Sequence, residues 1–286
     1  MNWKQTLFWS FSAAAIFYYF LLFGVFVFVG QEEMQLFIPE WWYIREFLFQ
    51  PGGFCAVAGQ WIIQYYRQPM SAVVLHTVLL VGCGFMVYRI LRCFSDKTYL
   101  LFLSLLPVLY LVKMSIHGEY LVDGTVGVVL MLLALSVSLK VRRAGSIAGY
   151  GIASTLFLCG LTGLLSVCYA FLYTLLALLR YKTSRQRLAA SACLIPALFI
   201  YLFSGWLGIP VPLSDGWMPE AYLEIQRLPH YYMYRVWTFF TLSIVGVALF
   251  ARFVPVIGEK SKWMDRVALV VCLITALVSI RFCLPE

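Results

Sequence analysis

The sequence predicts an all-α integral membrane protein with about nine transmembrane helices and two amphipathic interfacial helices in its first outer loop. Three observations carry this. The first is composition: 63% of the 286 residues are hydrophobic and 12% are charged, against about 45–50% and about 25% in soluble domains. With a mean hydropathy of +0.87, the chain has too little charge to cover a water-facing surface, which excludes a soluble enzyme. Disordered, collagenous and disulfide-scaffold classes fall with it, because each needs a polar or repetitive composition. The second observation is a series of uncharged stretches suited to a hydrocarbon core about 30 Å thick. The third is the alternation of basic residues between the segments that connect them.

Taken in order, the expected spans are Leu7–Gly30, Ser71–Tyr88, Thr98–Val112, Val126–Leu139, a pair within Ser146–Leu179, Ala189–Leu207, Val236–Phe250 and Val267–Ile280. The first is too long for a signal-peptide core and has no small-residue cleavage site after it, so it is expected to stay. Several others are short between charges, and flanking Lys and Arg extend them by snorkelling. Ser146–Leu179 holds 34 consecutive uncharged residues, about 51 Å as one helix, which is more than one crossing needs. Basic residues flank both its ends (Lys140, Arg142 and Arg143; Arg180, Lys182, Arg185 and Arg187) and call for the same cytoplasmic side. The stretch should therefore cross twice and turn near Gly160–Gly163.

With the N-terminus inside, 15 of the 21 Lys and Arg fall in cytoplasmic segments, while 10 of the 13 Asp and Glu fall outside. The basic bias sets a bacterial inner-membrane, multi-pass orientation with the C-terminus in the periplasm. The net charge of +8 is explained by those short inner loops meeting anionic lipid, so no nucleic-acid partner is expected. Most of the eight cysteines lie inside spans, where Cys acts as a small hydrophobe. No metalloprotease, nucleotide-binding or serine-hydrolase motif is present, nor an internal repeat of the transporter kind.

The informative segment is the outer loop at 31–70. It opens with Gln31-Glu32-Glu33. Ile38-Pro39-Glu40-Trp41-Trp42-Tyr43-Ile44-Arg45-Glu46-Phe47-Leu48-Phe49 follows, with Trp41, Trp42, Ile44, Leu48 and Phe49 on one helical face. Pro51-Gly52-Gly53 breaks the chain, and a second helix should present Phe54, Ala58, Trp61, Ile62 and Tyr65 together. Two readings are open: an aromatic belt that anchors the bundle, or a roof over a carboxylate pair acting on a lipid-borne substrate. A carboxylate there serves as general base or holds a divalent metal. No cofactor is evident beyond that possible metal.

An acidic pair after the first span followed by amphipathic helices resembles the polytopic glycosyltransferases of the GT-C type, which use polyprenyl-phosphate-linked sugars. The resemblance implies catalytic or metal-linked roles for Glu32 and Glu33. The segment Glu33-Met34-Gln35-Leu36-Phe37, with Pro51-Gly52-Gly53-Phe54 and Gln60, more closely resembles an uncharacterised family of Bacteroidota inner-membrane proteins. That resemblance implies a soluble domain after the last span, so 1–286 is expected to be one polytopic domain of a short member or of a longer chain.

Two further outer segments supply candidates. Lys113, His117, Glu119 and Asp123 sit between the third and fourth spans, where ionisable groups next to hydrocarbon are functional candidates. Either Lys113, Glu119 and Asp123 pair with one another, or His117, Glu119 and Asp123 form a metal or proton-transfer cluster; His117, Glu119 and Asp123 are the substrate-binding candidates here. The loop at 208–234 and the residue after it carry Arg227, His230 and Arg235 among tyrosines, a composition suited to phosphate and sugar contact. With Arg45 these are the expected substrate-binding residues. The function expected is a GT-C-like glycosyltransferase at the outer face; the alternatives are a transporter or flippase for an amphipathic solute and a non-catalytic envelope scaffold. Expected partners are membrane lipids and a polyprenyl-phosphate-linked sugar; the sequence does not reveal oligomeric state.

The hairpin reading makes the first prediction. In a chain stripped of its native cysteines, Leu161→Cys should react with an impermeant maleimide from the periplasmic side alone. Reaction from the cytoplasmic side alone would remove two crossings.

Overall fold

The computed structural model describes residues 3–34, 37–117, 120–203, 228–253 and 267–271, and the regular elements among them are all helical. Helix α1 (Trp3–Phe23) runs almost unbroken through Gly24 into α2 (Val25–Met34): the Gly24 amide donates to the Phe20 carbonyl at 2.8 Å and the Phe28 amide to the Gly24 carbonyl at 3.0 Å. Nothing between Gly30 and Met34 stops a helix, so Glu32 and Glu33 ride on the last turn of α2 rather than in a loop.

The segment expected as the first outer loop forms the two expected helices, α3 (Trp41–Leu48) and α4 (Gly53–Ile63), then a 3₁₀ turn at Gln64–Arg67 and α5 (Pro69–Leu91). Pro69 opens α5 where its missing N–H costs nothing. Then come α6 (Tyr99–Leu103), α7 (Leu106–Ser115), α8 (Val122–Ser138), α9 (Ala144–Thr162), α10 (Leu165–Arg180), α11 (Ser184–Ser191), α12 (Leu194–Leu202) and α13 (Leu228–Phe253). Two of the breaks have the same cause. Pro107 cannot donate to Leu103, nor Pro196 to Ala192, so α6 parts from α7 and α11 from α12.

Among the described residues, α1, α5 and α9 are both long and apolar enough to cross a bilayer, at 21, 23 and 19 residues. The apolar helices at Tyr99–Ser115, Val122–Ser138, Leu165–Arg180 and Trp237–Arg252 are shorter. Helix length alone therefore marks three spans, not nine. The expected spans Ala189–Leu207 and Val267–Ile280 lie partly outside the described residues.

The uncharged stretch 146–179 does fold back on itself. Helices α9 and α10 pack side by side and reverse at Gly163, whose φ of 62° lies in the left-handed region. At the open end of this hairpin, Gln186 Nε2 donates to the Arg142 carbonyl and Tyr181 OH to the Val141 carbonyl, both at 2.6 Å. The two basic clusters thus meet. Inside the bundle, Tyr169 OH lies 2.6 Å from both Ser138 Oγ and Ser154 Oγ, linking α10 to α8 and α9. Such bonds between helices hold apolar bundles together where burial gives little drive.

Helix α4 turns its smallest residues inward. The side turned to the bundle, against α8 and α9, is Gly53, Cys55, Gly59 and Ile63. Phe54, Trp61 and Tyr65 of the expected apolar face point outward, at 39%, 51% and 48% exposure. Small residues win because they let backbones close: a Cβ on Gly59 would stand 2.7 Å from Asp123 Cβ and 3.0 Å from its backbone nitrogen. The chain enters α4 through Gly52, with φ 85°, and the Gly52 amide donates to the Gly160 carbonyl at 3.1 Å. One end of the bundle therefore gathers the first outer segment and the hairpin turn.

Gly59→Ala should consequently lower stability by about 1–3 kcal/mol, since backbone must move. Gly82→Ala, where nothing lies within 4 Å, should be neutral or mildly stabilising. Thermal unfolding in detergent compares the two, and equal melting temperatures would mean that α4 is not docked so closely.

Candidate functional site

The site is built where α2, α4 and α8 meet. Gln31 is buried near the end of α2, and its Nε2 donates to the Tyr120 carbonyl at 2.9 Å and the His117 carbonyl at 3.5 Å. That bond ties the acidic end of one helix to the segment that leads into another. Asp123 follows, in the first turn of α8, where a negative charge is favoured by the helix dipole. Its Oδ1 accepts the Gly124 amide at 2.7 Å. Gly59 of α4 rests on it, and Cys55, Tyr66 and Tyr120 are near enough to feel its charge.

Below this lies an aromatic knot that positions the roof. Tyr66 of the 3₁₀ turn hydrogen-bonds through its OH to Nε2 of His76 on α5, and both are buried. Phe28 of α2 stacks on the His76 ring at 4.3 Å and 9°, with Phe20 beside it. His76 is thus a packed, hydrogen-bonded residue, and its partner comes from another element. Tyr120 OH is 3.1 Å from Thr125 Oγ1.

The expected residues divide as follows. Glu32 stands one turn beyond Phe28 and is half-buried, whereas Glu33 is exposed, turned away from the buried stripe of Phe20, Phe28 and Gln31. His117 and Asp123 are brought to the same end by the Gln31 bonds. Arg45 is exposed on α3 with its guanidinium 5.9 Å from the Phe49 ring, and α3 packs on α4. Glu119 and Arg227 lie outside the described residues. His230 and Arg235 fall in the first turns of α13, and their side chains lie outside the described set. Among the described residues no three His, Cys, Asp or Glu form a metal-ligand group.

Sequence reasoning passed over Gln31 and Tyr66. The signal for Gln31 was its place: an amide directly between an apolar run and two acids. Nothing local marks Tyr66, because its partners lie ten residues on and in α2.

Removing the Tyr66 hydroxyl isolates a buried His76 nitrogen. Tyr66→Phe should cost about 1–3 kcal/mol, read as a lower melting temperature, while Tyr65→Phe at an exposed position should cost little.

The chain belongs to a family of unknown function, DUF6057, which it matches over residues 1–281. No curated protein and no solved structure matches it.

Proposed function

We propose that this member of a family of unknown function is a nine-span inner-membrane protein whose periplasmic end acts on a lipid-linked substrate. The N-terminus is cytoplasmic and the C-terminus periplasmic. The reaction we assign is transfer of a sugar from a polyprenyl-phosphate carrier, as in GT-C type glycosyltransferases. The observation that carries this is the bond from Gln31 to the Tyr120 carbonyl. Through it, acids from two different helices share one end of the bundle beneath α4.

Roles follow from position. Glu32, half-buried on the flank of α2, is the better base toward an acceptor hydroxyl; Glu33 holds the negative field, with or without a divalent metal. Asp123, sheltered among Tyr66, Tyr120 and Cys55, binds and orients hydroxyl groups. Arg227, His230 and Arg235 of the second outer segment would meet the leaving phosphate, with Arg45, His117 and Glu119 completing the substrate contacts. A base must come within about 2.6–3.2 Å of its proton, directly or through one water.

A transporter is less well supported. Among the described residues the buried polar side chains are Ser, Thr, Gln31 and His76, and the acid that burial reaches, Asp123, sits at the start of α8, whereas ion-coupled transport wants ionisable groups at mid-depth. A scaffold keeps one specific observation in its favour. The groove between α9 and α12, about 570 Å³ and lined by Ile152, Leu156, Ile195, Pro196 and Phe199, is wholly apolar.

The test is transfer by purified protein from a polyprenyl-phosphate sugar to a hydroxyl acceptor. Glu32→Gln should lower the rate by about 10²–10⁴-fold with unchanged folding, and Glu33→Gln and Asp123→Asn by less. If Glu32→Gln and Glu33→Gln both keep full activity, or if no donor is turned over by the wild type, the scaffold reading replaces this one.

A further inference from the structure

A second groove, about 460 Å³, opens where the first outer segment joins α5, within the about 300–1,000 Å³ usual for ligand sites. Trp61, Ile62 and Tyr65 line one wall and Met70, Val74 and Leu75 the other, with Ser71 as its polar member. The outward side of α5 continues it, since Met70, Val74 and Val78, each one turn apart, are all exposed. An apolar track therefore leads from the groove along a membrane-length helix.

The nearest charge in the chain is Arg67. Arg67 ends the 3₁₀ turn between the groove residues Tyr65 and Met70. It is exposed, and among the described residues no carboxylate pairs with it. Over the 42 residues from Phe47 to Tyr88 it is the one Asp, Glu, Lys or Arg in the sequence. An exposed guanidinium carried between two residues of an apolar groove, Tyr65 and Met70, is complementary to an anionic group on an alkyl chain, and Arg is the side chain best shaped for phosphate.

We propose that this groove is a phospholipid site: the phosphate of an anionic phospholipid pairs with Arg67 while one acyl chain lies between Trp61 and Tyr65 on one side and Met70 and Val74 on the other. The bound lipid bridges the roof and α5. It thereby holds the 3₁₀ turn that carries Tyr66. This stands on the groove and its cation, whatever reaction the acidic end performs.

The experiment uses the full chain in nanodiscs of equal phosphatidylglycerol and phosphatidylcholine, with retained lipid counted by native mass spectrometry. Wild type should retain phosphatidylglycerol about fivefold over phosphatidylcholine, the enrichment expected of one basic residue near anionic lipid, and Arg67→Gln should bring the two to parity. Val74→Trp, a change at an exposed position, should reduce both lipids. Phosphatidylglycerol added in detergent should raise the melting temperature of the wild type but not of Arg67→Gln. Retained preference in Arg67→Gln, unchanged lipid in Val74→Trp, or equal stabilisation by inorganic phosphate alone would each overturn the proposal. Loss of sugar transfer with lipid retention intact would bear on the acidic site and leave this one standing.

Discussion

The close approach of α4 to α8 at Gly59 and Asp123 governs this end of the molecule. A Cβ at 59 would meet the backbone of Asp123, so a glycine is what lets the roof come down. With the roof down, the Gly52 amide reaches the Gly160 carbonyl, and the hairpin turn is tied to the same layer. Lift it, and three things part together: the cover over Asp123, the Gly52 bond and the seat of Tyr66. Apolar helices gain little by turning one greasy face to another when lipid is the alternative. Fit and hydrogen bonds decide instead, and both are concentrated here.

The same constraint explains how short and broken helices are tolerated. Helix breaks at Pro107 and Pro196 free carbonyls that would be costly in hydrocarbon. The Ala192 carbonyl freed at Pro196 is taken by the Ile195 amide at 3.2 Å, and Tyr169 bridges three helices. Polar side chains in this bundle are used as fasteners.

Much of the architecture was legible because charge and glycine are explicit in a sequence. Two basic clusters around an uncharged stretch, with Gly160 and Gly163 in its middle, read as a hairpin, and Arg142 and Gln186 do meet at its open end. Pro51-Gly52-Gly53 read as a break between helices, and it is one. The sequence grouped the aromatic face of α4 but left open whether it meets lipid or the bundle. Apolar residues at helical spacing mark the side that avoids water, but a helix against other apolar helices turns its smallest residues inward. The Tyr66–His76 pair and the Gln31 bond were illegible because they join elements far apart in the chain, with no periodicity to announce them. Of the acidic pair, the sequence could not tell one from the other. The stripe Phe20, Phe28 and Gln31 does: it leaves Glu32 on the flank and Glu33 outside.

That asymmetry bears on where chemistry can occur. The buried polar side chains of the described helices are Ser, Thr, Gln31 and His76, and the acid that burial reaches, Asp123, stands at the start of α8. Asp123 and the pair Glu32 and Glu33 stand at a helix start and a helix end, Asp123 closed in by α4 and Glu33 exposed. Acids so placed suit the proposed lipid-linked substrate, whose polar part would sit at the membrane surface while its tail stays in the bilayer. The roof fits that geometry. Its inward side is backbone and small residues closing on Asp123, and its outward side is Trp and Tyr suited to the headgroup layer. This roof closes on Asp123 and leaves Glu33 exposed, so the two acids would meet a substrate from different surroundings.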